Sequence, residues 1–209
     1  MSYRIKSIFY TLQGEGARAG RPSVFCRFTG CNLWSGHEAH RLNAICQFCD
    51  TDFLGTDGPG GGVFANAPSL ADAVAAAWPG GGAPYVVCTG GEPLLQLDDA
   101  LVGAFHERGF EVAVETNGTR EPPAGVDWLC VSPKAGAPWL LTRGDELKLI
   151  YPQPGLMPDD LPATGFQHYC LQPMDEGGEP DHTPAAAEYC LAHPAWRLSL
   201  QTHKYLGLP

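Results

Sequence analysis

Short, nearly continuous apolar runs alternate with helical patterns along this chain, and that alternation restricts the folds open to it. Ser23–Thr29 (SVFCRFT) and Tyr85–Thr89 (YVVCT) read as strands rich in β-branched and aromatic residues. Ser7–Thr11, Glu111–Glu115, Trp128–Val131, Glu146–Tyr151, Tyr169–Gln172 and Arg197–Gln201 read the same way. Among them, Ser69–Trp78 sets Leu70, Val74, Ala77 and Trp78 at helical spacing, with Ser69 as the expected N-cap. Leu97–Glu107 carries Leu97, Leu101 and Phe105 and stops at Gly109; Pro184–His193 is a third helix, with Pro184 near its first turn. Strands alternating with helices predict an α/β fold with a mainly parallel sheet, and runs this continuously apolar suit strands covered on both faces. Connections such as the one after Glu115 are too short for a full helix, so the barrel or sheet is expected to be incomplete. Gly55–Asn66 (GTDGPGGGVFAN) is expected to be a loop. Neither a repeat nor a linker divides the 209 residues, and a single domain over residues 1–209 is expected.

Charge limits the partners. Thirteen basic residues are scattered through a chain of net charge −10, whereas a nucleic-acid surface needs clustered Lys and Arg, so no nucleic-acid partner is expected. A small anion at a single pocket arginine is compatible with that balance. No run of 18 apolar residues occurs, and the opening Met1-Ser2-Tyr3-Arg4-Ile5-Lys6 alternates polar and apolar, so neither membrane span nor signal peptide is expected. The expected location is cytoplasmic, where the 8 cysteines are reduced and metal or catalytic roles outrank disulfides.

Polar motifs follow the strands. Thr89-Gly90-Gly91-Glu92-Pro93, Glu115-Thr116-Asn117-Gly118, Ser132-Pro133-Lys134 and Gln172-Pro173-Met174-Asp175 each come after a predicted strand, and Arg27 lies within another, just ahead of Cys31. Ligands of parallel α/β folds bind at the carboxyl ends of the strands, so these motifs are expected to describe one pocket.

Cys31-x14-Cys46-x2-Cys49 is the chemically sharpest pattern. Three thiolates can hold three irons of a cubane cluster, and the fourth iron then takes either an external ligand or a remote fourth cysteine. Zinc is the alternative, with His37 or His40 as fourth ligand, although the second Cys-x2-Cys of a zinc ribbon is missing. Gly90-Gly91 is either a tight turn or a place where backbone meets ligand. Leu12-Gln13-Gly14-Glu15-Gly16 alone is a turn. Arg27, a charge among Val24, Phe25 and Phe28, needs a partner: an internal carboxylate or the carboxylate of a substrate. Cys26, Cys88, Cys130, Cys170 and Cys190 read as buried apolar thiols, and Trp34, Trp78, Trp139 and Trp196 as packing. His203 and Lys204 face either the pocket or the surface.

The triad ending Phe48-Cys49-Asp50-Thr51, followed by Gly90-Gly91-Glu92-Pro93, resembles radical S-adenosylmethionine enzymes. Within them the chain is similar to the family of 7-carboxy-7-deazaguanine synthases, which act in making queuosine and other 7-deazapurines. Phe9–Gly16 (FYTLQGEG), Phe25–Cys31, Val87–Pro93, Val114–Gly118, Val131–Lys134, Leu171–Asp175 and Trp196–Leu206 (WRLSLQTHKYL) carry the likeness over almost the whole chain. One departure stands out: the usual spacing is Cys-x3-Cys-x2-Cys, whereas residues 32–45 separate the first two cysteines here. The thiolates still converge if this insert folds back as a loop or short helix.

The resemblance implies an incomplete, TIM-like barrel of about six parallel strands with extra N- and C-terminal elements, and a homodimer. It implies a [4Fe–4S] cluster on Cys31, Cys46 and Cys49, with S-adenosylmethionine bound at the open iron. One electron, from a donor such as flavodoxin or ferredoxin, releases a 5′-deoxyadenosyl radical. That radical takes a hydrogen from 6-carboxy-5,6,7,8-tetrahydropterin; the ring contracts and ammonia leaves. Carried over by position, Phe48, Cys49, Asp50, Gly91, Ser132, Pro133, Lys134, Gln172, Pro173, Met174 and Asp175 touch S-adenosylmethionine. Thr51 sits on Mg²⁺. Leu12, Gln13, Gly14, Arg27 and Thr89 hold the pterin, with Arg27 on its carboxylate, and the terminal carboxylate of Pro209 reaches it too. A rival within the same chemistry is an activase that makes a glycyl radical on a partner protein; the rival outside it is a non-catalytic zinc module.

Overall fold

The computed structural model describes residues 2–175, 177 and 180–209. Among these, nine strands form one sheet: β1 (Tyr3–Leu12), β2 (Pro22–Phe28), β3 (Gly62–Phe64), β4 (Tyr85–Gly90), β5 (Glu111–Thr116), β6 (Trp128–Val131), β7 (Arg143–Tyr151), β8 (Gly165–Pro173) and β9 (Trp196–Leu198). Their spatial order is β3-β1-β2-β4-β5-β6-β7-β8-β9. From β2 to β9 every neighbour is parallel, while β1 runs antiparallel to both β2 and β3. The expected α/β class with a mainly parallel sheet is what the chain adopts.

Helix α1 (Ala67–Ala77) links β3 to β4, α2 (Asp99–Glu107) links β4 to β5, α3 (Thr183–Ala192) links β8 to β9, and α4 (Thr202–Leu206) follows β9. Between β5 and β6, and between β6 and β7, the chain crosses without a helix. Period-two alternation decides what each face of the sheet meets. Val24, Cys26 and Phe28 of β2, Val86 and Cys88 of β4, and Val112 and Val114 of β5 join Leu70, Val74, Leu101 and Phe105 of α1 and α2 in one core. The residues between them, Arg27, Thr89 and Glu115, look to the opposite, inner face and line the cavity there.

Several local expectations are corrected. Asn66, not Ser69, caps α1: its side chain accepts from the Ser69 N–H at 2.9 Å, and the Ser69 hydroxyl accepts from the Asn66 N–H in return. Serine is therefore the third residue of a reciprocal box, a role its side chain fills as well as a cap. The 55–66 segment is not all loop, because Gly62–Phe64 pairs with Tyr3–Ile5. Three residues after a glycine run are too few to show strand periodicity, and a Cβ on Gly61 would collide with the Lys6 carbonyl, so this close approach depends on glycine. The last strand is shorter than Arg197–Gln201, and α4 occupies the residues beyond. No helix among the described residues is long and apolar enough to cross a membrane.

Candidate active site

A cavity of about 590 Å³ opens at the carboxyl ends of the parallel strands, within the usual size range for a small-molecule site. Cys31, Cys46 and Cys49 all line it. Cys46 and Cys49 touch, the Cys46 thiol donating to Cys49; this hydrogen bond is the main reason the Cys49 thiol is brought down to about 6. Lys134 on the β6–β7 connection reinforces the thiolate through its charge. Burial acts the other way on Cys31 and raises its thiol.

The insert of residues 32–45 brings the first cysteine to the other two. It folds back through a 3-10 turn, Glu38–Asn43, and the N–H groups of Ile45 and Cys46 both donate to the Leu33 carbonyl. Arg41 locks the return: its guanidinium pairs with Glu38, stacks 4.0 Å above the Trp34 ring, and donates to the carbonyls of Gln47 at 2.9 Å and Cys49 at 3.1 Å. Trp34 packs edge-on against Phe53 beneath. His37 and His40, the candidate zinc ligands, pack against each other and line no part of the cavity. Among the described residues, no three His, Cys, Asp or Glu side chains are grouped as a single ion requires. A tetrahedral zinc draws each thiolate to about 2.3 Å, whereas a cubane spreads its three thiolates over separate irons. Soft thiol donors without a fourth protein ligand fit the cluster.

The glycine pair is imposed by backbone. Gly90 has φ +127°, and a Cβ on it would run into the Phe28 backbone; one on Gly91 would run into the Gly30 carbonyl. The Gly91 N–H donates to the Phe28 carbonyl at 3.2 Å and that of Glu92 to Gly30 at 2.9 Å, so β4 ends pressed onto β2. Glu92 is fully buried, and its carboxylate accepts from Leu94 N–H, Thr116 hydroxyl and Asn117 N–H. Burial raises its pKa; these three donors oppose the shift. The same Gly90-Gly91 backbone that makes the turn also lines the cavity.

Of the residues expected at the site, all but Pro133 line the cavity. Pro133 turns away, and its carbonyl accepts from buried Gln153. Gly14 lines it as well, but its lack of a side chain serves a contact: a Cβ there would begin inside the His203 imidazole. The Gly14 carbonyl accepts from both the N–H and the hydroxyl of Thr202. His203 and Lys204 therefore face the pocket, which settles the choice between pocket and surface. Lys204 donates to Asp50 at 2.8 Å and to Asp175 at 2.5 Å. Lys134 donates to the Ser132 carbonyl and hydroxyl and lies 6.0 Å from the Phe48 ring. Thr51 lies between Asp50 and Asp52, and all three line the cavity. Cys26, Cys88, Cys130, Cys170 and Cys190 lie outside it.

Arg27 has no carboxylate within ion-pairing distance among the described residues. Burial lowers its pKa, while the charges of Glu115, Asp50 and Asp52 favour the cation. One network was not anticipated. Lys148 of β7, only 5 % exposed, donates to Glu15 at 2.5 Å and to Glu115 at 3.0 Å. Gln13 donates to the other Glu115 oxygen at 2.8 Å, and Gln201 to the other Glu15 oxygen at 3.0 Å. Burial works against both charges of the pair, but the carboxylates hold the Lys148 pKa well above its ordinary value, and Lys148 and Gln201 bring Glu15 down to about 2. Its sequence signal is the one that marks Arg27, a charge between apolar strand neighbours, Leu147 and Leu149.

A mostly parallel α/β sheet whose carboxyl end gathers three cysteines and a glycine pair defines the radical S-adenosylmethionine class of enzyme. No family model matches the sequence. It is 60 % identical over its full length to the 7-carboxy-7-deazaguanine synthase of Bordetella pertussis and 61 % identical over its full length to that of Caulobacter vibrioides, covering all of both relatives. The solved structure of QueE from Escherichia coli superposes with a TM-score of 0.71 at 28 % identity, covering 97 % of this chain and 95 % of that one. The chain belongs to the 7-carboxy-7-deazaguanine synthases.

Proposed function

We propose that this protein converts 6-carboxy-5,6,7,8-tetrahydropterin to 7-carboxy-7-deazaguanine with loss of ammonia, on the route to queuosine and other 7-deazapurines. The observation that carries the reading is the single cavity holding Cys31, Cys46, Cys49, the Gly90-Gly91 backbone and an Arg27 without an ion-pair partner among the described residues. Cys31, Cys46 and Cys49 hold a [4Fe–4S] cluster, and S-adenosylmethionine lies along Phe48–Asp50, Gly91, Ser132, Lys134 and Gln172–Asp175. When bound, these two groups supply a carbon-centred radical that takes a hydrogen from the pterin. The protein's part is to position and to exclude water. Arg27 takes the substrate carboxylate, with Leu12, Gln13, Thr89 and the carboxylate of Pro209 around the rest. Thr51 carries a Mg²⁺.

Residues 1–209 act as one domain whose sheet forms an incomplete barrel of six parallel strands, β2 and β4–β8, flanked by β1 and β3 on one side and β9 and α4 on the other. The family likeness supports a homodimer and an electron donor of the flavodoxin or ferredoxin kind. Eight unpaired cysteines support a reducing, cytoplasmic setting. The test is anaerobic turnover of the reconstituted protein with the tetrahydropterin under reducing conditions, with the product identified by mass. Absence of 7-carboxy-7-deazaguanine, with S-adenosylmethionine still cleaved, overturns the assignment.

A further inference from the structure

Contraction of a tetrahydropterin to a deazapurine ends in an elimination. A ring carbon gives up a proton, the neighbouring carbon gives up its nitrogen as ammonia, and the electrons of the broken C–H bond become the new ring double bond. The C–N pair leaves with nitrogen, which gains one N–H bond, so no oxidant is consumed. A radical source does not move this proton; the step needs a base near carbon and an acid near nitrogen.

The ionisable groups of the cavity narrow the choice. Lys134 is bound to Ser132, while Lys204 with Asp50 and Asp175, and Lys6 with Asp52 and Asp57, stand beside the residues proposed for S-adenosylmethionine and Mg²⁺ and not beside those proposed for the pterin. Arg27 cannot give up its proton. His203 and the carboxylate of Pro209 also line the cavity, but Glu15, Glu115 and Lys148 are the set in which base and acid are already joined by hydrogen bonds, and Gln13 ties that set to the proposed pterin side. The carboxylates are 15 % and 21 % exposed and Lys148 5 %, and all three line the cavity. Arg27 from β2, Cys130 from β6 and Glu146 from β7 act electrostatically on this group, and His203 from α4 acts on Glu15. Of the carboxylates around Arg27, Glu115 acts on it most strongly. Register sets Arg27, Thr89 and Glu115 one residue beyond the paired Cys26, Cys88 and Val114 on three adjacent strands, and Gln13 donates to Glu115 at 2.8 Å, so Glu115 borders the residues proposed to hold the pterin.

We infer that Glu115 and Lys148 are the proton acceptor and donor of the ammonia elimination, an inference that rests on the function proposed above. Glu115 takes the C–H proton. Lys148 then has lost one of its two counter-charges, and burial, which disfavours the cation, drives its proton onto the departing nitrogen. The proton on Glu115 passes to the Lys148 amine across their hydrogen bond, so both groups end as they began. Glu15 stays ionised and keeps Lys148 in place.

The experiment compares wild type with Glu115→Gln, Lys148→Met and Lys148→Arg, using pterin deuterated at the abstracted position. Deuterium in 5′-deoxyadenosine counts the radical step, released ammonia counts the elimination, and titration calorimetry of the anaerobic protein gives pterin affinity. The expected result is deuterium transfer within about threefold of wild type and ammonia release lowered by about 100-fold or more in all three variants, with a species of substrate mass accumulating. Lys148→Arg separates charge from proton transfer, since arginine keeps the first and not the second. Ammonia release at the wild-type rate in Lys148→Arg overturns the inference. So does a parallel fall of both steps together with lost pterin affinity. If Lys148→Met does not fold, Glu115→Gln decides by the same readouts. Wild type failing to form 7-carboxy-7-deazaguanine removes the underlying function; wild type forming it without the split in the variants removes only the proton-transfer roles.

Discussion

Lys204, on the last helix, donates at 2.8 Å to Asp50, the residue next to the last cysteine of the triad, and its second bond reaches Asp175 at the end of β8. One ammonium thus ties α4 to two loops on which the cofactor is proposed to lie. Both pairs are over a third exposed, so each contributes at most about 1 kcal/mol. Lys204→Met should leave the melting temperature nearly unchanged. It should speed chymotryptic cleavage after the exposed Tyr205 by about threefold or more, as expected when a terminal element loses its tether; unchanged cleavage would show that α4 is held by other contacts.

Gly14→Ala introduces a Cβ where the His203 imidazole lies. The overlap should cost about 1–3 kcal/mol and displace α4 from the pocket, raising the KM for pterin while leaving the far-ultraviolet spectrum native. His203→Ala in the same chain should return part of the lost stability, a coupling readable in a double-mutant cycle.

Arg27→Ala should raise the KM for the pterin roughly 10- to 100-fold, the worth of a charge-assisted hydrogen bond to a carboxylate. Reductive cleavage of S-adenosylmethionine without substrate should stay near wild type. Equal loss of both activities would make Arg27 a structural residue of β2.

Thr51→Ala removes the hydroxyl proposed for Mg²⁺. The concentration of Mg²⁺ giving half-maximal turnover should rise by about tenfold. A superimposable titration in the variant would remove Thr51 from the metal.

Stability should fall in acid for a reason located at Glu15. Burial alone would lift this carboxyl, but the charge and hydrogen bond of Lys148, helped by Gln201, bring it down to about 2 from 4.5. A group with a depressed folded value contributes fully above its unfolded value, and that contribution is lost as pH drops through the folded one. Urea unfolding should therefore show stability declining from about pH 4.5 toward pH 2, and less steeply in Lys148→Met.

How much of this was legible in the chain depended on periodicity. Largely apolar, β-rich strands such as Val24–Phe28 and Tyr85–Thr89 announced themselves, and so did α1, α2 and α3, to within a turn, whereas α4 did not. β3 did not, because three residues beside a glycine run have no period, and its pairing is decided by Tyr3–Ile5 far away in sequence. The site was legible where it consisted of motifs at strand ends. Glu15 and Glu115 lay inside two of those motifs, yet their joining through Lys148 needed the sheet to bring β5 and β7 onto one face. Pro133 belonged to a motif of which only its neighbours face the cavity, a distinction that residue order does not contain.

The two hydrogen bonds from Thr202 to the Gly14 carbonyl join residues 188 positions apart. The thiols of Cys31, Cys46 and Cys49 are synthesised early, yet the pocket above them cannot close until residue 202 has left the ribosome. Residues placed last in the sequence thus complete the wall of a cavity whose thiols stand among its first fifty.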